Sequence, residues 1–281
     1  MNKIPIIINL PQCIERKETL PTRLEGIFDT HIVIEAVDGA RLKDQEYSEK
    51  LGNILDIPSC KLHSSYFMDR KNFQSYGRDE NTILAKAGCF LSHMVVLHFA
   101  LKEKITNIVV LEDDFKILNK NIKNIEIKPD SLITYFGGQS TLEVPPNDGF
   151  LSLENYPLFG TYGYGVGCSN QIQTLYNLMK SCFNDGTGRI KLKDNFNPKK
   201  DRLKMMSIDL FYKKFIHNHC VLACPPCIGH NDLIESTISN TKKYKKRYGN
   251  KCISKLINNS EGNITLTIST TAINHTEPII I

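Results

Sequence analysis

The chain has 281 residues, 41% of them hydrophobic and 23% charged, with a formal net charge of +5. That is enough to bury one large core, and it excludes a disordered or fibrous polymer. The positive excess lies in residues 189–204 and 242–255. Neither run is interleaved with a nucleic-acid motif, so no nucleic-acid partner is expected; each reads as a solvated face or as an attraction for phosphates or an anionic membrane surface.

The apolar start is too short for a signal peptide, and no segment reaches 18 consecutive apolar residues. Nine cysteines follow no regular framework. A cytoplasmic chain with reduced thiols is therefore expected, with peripheral contact to an anionic membrane through 242–255 as one use of the basic run.

In chain order, "IPIIINL" (4–10) is a β-branched run flanked by prolines and predicts a buried strand. Residues 14–27 suit a short helix interrupted by Pro21, and "HIVIEAV" (31–37) predicts a second strand ending in the turn "DGA". Residues 43–80 show no clear period. Residues 82–102 predict one helix, apolar on most faces and hence buried. "NIVVL" (107–111) and "SLITYFGG" (131–138) predict further strands, the second closed by two glycines that permit a sharp turn.

Beyond these, "GTYGYGVGCSN" (160–170) packs glycines around two tyrosines, and "QIQTLYNLMKS" after it predicts a helix. Residues 183–206 read as a basic loop. Residues 207–218 predict a helix with Ser207 as N-cap and Asp209 in its first turn. "ITLTIST" (264–270) alternates like a strand. Strands alternating with helices at this spacing predict an α/β domain with a mostly parallel sheet, whose ligands bind beyond the carboxyl ends of the strands.

That is where Glu112, Asp113 and Asp114 fall. Extended backbone would place Glu112 and Asp114 on one face and Asp113 on the other. Two converging carboxylates make a hard-oxygen site suited to Mg²⁺ or Mn²⁺, while an acidic triplet after a strand also reads as a solvated loop. Paired carboxylates equally serve glycoside hydrolysis.

"INL" (8–10) with Arg16, "AVDG" (36–39), "GCFLSH" (88–93), "VLEDDF" (110–115), "YFGG" (135–138), "GTYGY" (160–164), "SIDLF" (207–211) and "PPCIGHNDLIESTI" (225–238) follow one another in an order and spacing that resemble glycosyltransferase family 25. That family includes lipopolysaccharide galactosyltransferases and the domains that glycosylate collagen hydroxylysine. The resemblance covers roughly residues 4–240. It implies a GT-A-type, Rossmann-like domain over 1–240, followed by a C-terminal extension over 241–281. It also implies a UDP-sugar donor, a divalent cation (Mn²⁺ or Mg²⁺), inversion at the anomeric carbon, and transfer of galactose or glucose to a glycan, lipid-linked or protein acceptor.

Carried over by position, the metal ligands would be Glu112, Asp114 and His230. Donor contacts would come from Asn9, Leu10, Arg16, Asp38, Gly39, Ser92, Glu112 and Asp113. The general base would be Asp209, for which a plain helix N-terminal carboxylate is the bland alternative. His93, on an apolar helix, suits a structural hydrogen bond to a neighbouring strand. The sequence departs from the family at Lys86, where a carboxylate is usual, and in having no tryptophan. A degenerate, non-catalytic binding protein of the same fold is the alternative those departures favour.

A rival site is "HNHCVLACPPCIGH" (217–230), whose Cys224 and Cys227 have zinc-like spacing. Against zinc, the pair encloses two prolines, no second Cys-x-x-Cys exists, and "CVLAC" also reads as a core strand with cysteines as small apolar residues.

Overall fold

The computed structural model describes residues 2–69, 72–74, 79–140, 149–154, 156–183 and 205–230. The basic runs within 184–204 and 242–255, the 264–270 segment and the extension over 241–281 lie outside the described residues.

Strand β1 (Ile4–Asn9) is flanked in parallel by β2 (Ile32–Glu35) and, between them in sequence, the chain makes two short helices, α1 (Ile14–Glu18) and α2 (Leu20–Leu24). The expected single helix breaks at Thr19, and Pro21 occupies the first turn of α2, where its missing N–H removes no hydrogen bond. Residues 43–80 are not irregular. They form α3 (Gln45–Leu55) and α4 (Ser64–Met68), each started by a side-chain cap, Asp44 and His63 respectively.

Helix α5 (Glu80–Lys102) is capped by Asp79, whose carboxylate accepts from the Thr82 N–H at 3.0 Å. It is long and apolar enough to cross a membrane, yet 72% of its most apolar window is buried inside the protein, which makes it the core helix. Strand β3 (Ile108–Glu112) follows and pairs in parallel with β1. A two-residue turn leads to β4 (Phe115–Ile117).

The rest of the sheet comes from β5 (Ile133–Ser140), β6 (Gly149–Ser152), β7 (Leu158–Val166) and, after helices α6 (Ser169–Lys180) and α7 (Ile208–Phe215), strand β8 (Cys220–Cys224). The seven strands lie in the order β2-β1-β3-β7-β5-β8-β6. The fold is the expected α/β, Rossmann-like sheet flanked by helices. Its pairing is mixed: β1–β2, β1–β3 and β5–β8 are parallel, whereas β3–β7, β5–β7 and β6–β8 are antiparallel.

The glycine-rich "GTYGY" segment belongs to β7, the strand between β3 and β5. The two glycines of "YFGG" do not end their strand: β5 runs through them to Ser140. Gly137 makes room instead for a last short strand, β9 (Ile228–His230), which pairs antiparallel with β4 over the sheet. A Cβ on Gly137 would stand 1.7 Å from the Ile228 carbonyl oxygen, so any larger residue would push β9 away.

Alternation along the central strands divides the core. Ile6, Ile8, Ile108 and Val110 pack with α5, α6 and α7, while Ile7, Val109 and Leu111 pack with Leu20, Leu24, Phe115 and Ile228 on the other face. The same alternation aims Glu112 toward α5 and Asp113 toward α1 and α2.

Candidate active site

Each carboxylate of the triplet has its own surroundings. Asp113 continues the ladder, its N–H donating to the Ile8 carbonyl at 3.1 Å. Its side chain is buried, and both carboxylate oxygens are occupied: Arg16 donates to one at 2.8 Å and the Asn9 amide to the other at 2.8 Å. Arg23 braces the turn from below, donating to the carbonyls of Asp113 (2.8 Å) and Phe115 (3.0 Å) while its guanidinium lies over the Phe115 ring. Burial pushes the Asp113 carboxyl above the ordinary carboxylate range, and Arg16 pulls it part of the way back.

Glu112 faces the opposite side, as alternation requires. Its carboxylate accepts from the buried Thr161 hydroxyl of β7 and lies 3.6 Å from His93 Nε2. His93 is fully buried on α5, and its Nδ1 is 2.8 Å from the Tyr164 hydroxyl on β7, the strand contact expected of it. Tyr212 of α7 donates to Tyr164 at 3.1 Å, extending the chain of polar groups inward.

Asp114 does not share a face with Glu112. The strand ends at Glu112, so period-two alternation stops there and the turn delivers Asp114 to β9, where His230 Nε2 lies 3.1 Å from its Oδ2. The other oxygen, Oδ1, is buried without a hydrogen-bond partner. A buried carboxylate oxygen left bare beside an imidazole is a donor set that fits a divalent cation. Among the described residues, the one set of three His, Cys or carboxylate groups whose ligand atoms all lie within 4.8 Å of one another is Cys89, His93 and Glu112. As placed, then, Glu112 does not join Asp114 and His230 in a common ligand set.

Of the other residues singled out, Asp209 sits in the first turn of α7, and burial together with the charges of Glu112, Asp209 and Asp114 pushes the Cys89 thiol up. Lys86 reaches the same thiol with the opposite sign. Ser207 is the residue before α7, but its hydroxyl makes no cap hydrogen bond. Leu10 is partly buried at the end of β1.

Asp38 caps a single 3₁₀ turn by accepting from the Ala40 N–H at 2.9 Å. Gly39 lies against α5: a Cβ there would meet the Leu84 carbonyl oxygen at 2.0 Å, and one on Gly88 would meet the Val37 carbonyl oxygen at 2.6 Å. Ser92 completes this contact, donating to the Gly88 carbonyl (2.7 Å) and accepting from the Val37 N–H (2.8 Å). "AVDG" and "GCFLSH" thus form two sides of one packed junction. Sequence reasoning missed Thr161, Arg23 and Cys89; Thr161 and Cys89 lie inside quoted motifs, whereas Arg23 carried no signal.

The Cys/His segment 217–230 is not gathered into a metal set. Cys220 and Cys224 are buried in β8, the core strand that "CVLAC" suggested, and His217 Nε2 lies 2.7 Å from the Tyr156 carbonyl oxygen.

A mixed, Rossmann-like sheet flanked by helices, with carboxylates at the end of a parallel strand, is the fold class of a glycosyltransferase. The chain belongs to glycosyltransferase family 25: the family pattern described as "Glycosyltransferase family 25 (LPS biosynthesis protein)" matches residues 2–162, more than half of its length. It is therefore a glycosyltransferase by family. No curated protein matches the chain. The matched span takes in Asn9, Arg16, the carboxylate triplet and Thr161, and ends before Asp209 and His230.

Proposed function

We propose that the protein is a metal-dependent, inverting hexosyltransferase that moves galactose or glucose from a UDP-sugar to a hydroxyl of a glycan, lipid-linked or protein acceptor. The observation that carries this reading is the unpartnered Oδ1 of Asp114 beside His230. Asp114 and His230 would hold Mn²⁺ or Mg²⁺. A cation there supplies neutralisation for the donor's diphosphate and for the charge that develops on the departing UDP.

The chain's own groups do the rest. Asn9 and Arg16 fix Asp113, and with it the turn that aims Asp114. Leu10, Asp38 and Gly39 stand near the strand ends that would receive the uridine, and Ser92 supports that wall from α5. Glu112, oriented by Thr161, would accept from donor hydroxyls. Asp209 would take the proton of the acceptor hydroxyl as it attacks the anomeric carbon opposite the leaving group, which yields inversion in one displacement. Placement in the cytoplasm, with the lysine-rich 242–255 run against an anionic membrane surface, belongs to the same reading.

The test is calorimetry of UDP binding with and without Mn²⁺. Wild type should bind UDP more tightly with the metal, and Asp114→Ala should abolish that dependence while keeping its circular dichroism spectrum. Undiminished metal-dependent binding by the folded variant would overturn the assignment. If neither protein binds UDP, the non-catalytic alternative takes its place.

A further inference from the structure

Cys89 and His93 are four residues apart on α5 and so project from the same helix face, one turn from each other. Glu112 meets them from the end of β3, and the sulfur, imidazole and carboxylate ligand atoms all lie within 4.8 Å of one another. His93 is fully buried, yet its Nε2 has no hydrogen-bond partner and is aimed at this space. We infer that Cys89, His93 and Glu112 form a second cation site, for a thiophilic divalent metal of the Zn²⁺ class, distinct from the Asp114–His230 pair.

Three lines of chemistry support it. The spacing fits: ligands of a tetrahedral zinc stand roughly 3.3–3.7 Å apart, given bonds of about 2.0–2.3 Å, and His93 Nε2 is 3.6 Å from Glu112 Oε1. The ligand types select the metal, because a thiolate with an imidazole suits Zn²⁺ or Co²⁺ and disfavours the hard Mg²⁺ and Mn²⁺. The inner hydrogen bonds also allow the required tautomer. With the ring proton on Nδ1 donated to the Tyr164 oxygen, that oxygen accepts from His93 and from the Tyr212 hydroxyl together. That leaves the Nε2 lone pair facing the site.

Burial and the charges of Glu112, Asp209 and Asp114 push the Cys89 thiol well up, so without metal it keeps its proton. On binding, the S–H bond breaks, one proton leaves to solvent and a sulfur–metal bond forms. Occupancy would tie Glu112 to α5 and draw it from Thr161.

The probe is Co²⁺, whose bond to a thiolate gives a charge-transfer band in the near ultraviolet. The measurement uses full-length protein in which the exposed Cys60 and Cys168 are serine. Titration should produce the band at one metal per chain, and Zn²⁺ should displace it. Cys89→Ser should remove the band and weaken Zn²⁺ by about tenfold or more, and Tyr164→Phe should weaken it by roughly 10–100-fold through the lost orienting bond. Asp114→Ala and Cys224→Ser should leave the band in place. A folded protein without the band, or a band that survives Cys89→Ser, would overturn the site; loss of the band in Asp114→Ala would overturn its independence. UDP binding plays no part in the readout, so the donor-site reading stands or falls separately.

Discussion

The two faces of strand β3 treat their carboxylates differently. On the α1–α2 face, Asp113 has a partner on each oxygen, a guanidinium on one and an amide on the other. At the turn and on the α5 face, Asp114 keeps a bare buried oxygen and His93 a bare ring nitrogen. Buried polar groups are almost always paired, so each bare one asks for a reason, Arg23 Nε on the closed side included. In the proposed reading Asp113 is architecture, and the open chemistry lies with Asp114, His93 and Glu112.

This contrast can be broken most forcefully from the open side. Asp209→Asn should lower glycosyl transfer by roughly 10²–10⁴-fold while UDP binding is retained, as measured by product formation alongside calorimetry. An active variant would remove Asp209 as the base and confine the chemistry to the triplet.

The closed side is probed by stability. Arg16→Ala leaves a largely buried carboxylate without its cation and should cost about 3–5 kcal/mol in urea unfolding at neutral pH. The effect has a definite pH dependence. Asp113 already sits above the ordinary carboxylate range, and losing Arg16 raises it further. Its contribution is thus present below the unfolded-state value and lost as pH rises through the raised one. The gap between variant and wild type should be small near about pH 4 and widen toward about pH 7. A gap independent of pH would show that Arg16 acts through packing alone.

Gly137→Ala tests whether β9 belongs to the open side, since the added methyl would displace the Ile228 carbonyl. It should cost about 1–3 kcal/mol and weaken Mn²⁺-dependent UDP binding, because His230 rides on that strand. Unchanged metal dependence would detach His230 from the site. The smallest effect is expected for Ser92→Ala, which orphans the Val37 N–H and should cost about 1–2 kcal/mol in thermal unfolding. Loss of UDP binding without loss of stability would move Ser92 from packing to donor contact.

How far these regions could be read from sequence follows the same division. The β-branched runs of β1 and β3 and the apolar α5 are local signals, and they gave the parallel half of the sheet with the triplet at its end. Residues 43–80 hid two helices because their polar faces swamp the apolar period. The glycines of 160–165 carried no strand signal because glycine is a poor strand former; the missing side chain of Gly163 serves the close passage of Ile228, a contact at long sequence distance. The alternation rule worked for Glu112 and Asp113 and failed for Asp114, two residues past the strand. That Cys89 and His93 share a helix face was legible from their spacing, but that Glu112 meets them was not, since it depends on how α5 is rotated over the sheet.

Strand β9 sets an order on biosynthesis. The triplet and its Asn9–Arg16 clamp leave the ribosome early, whereas Asp114 meets His230 only once residues 228–230 have crossed back over Gly137 and paired with β4. A nascent chain that has just completed the 2–162 family span holds the clamp residues but not His230. A truncated product of that length would lack the proposed Asp114–His230 pair, and a protease nick ahead of β9 should weaken Mn²⁺-dependent UDP binding without touching the acidic motif.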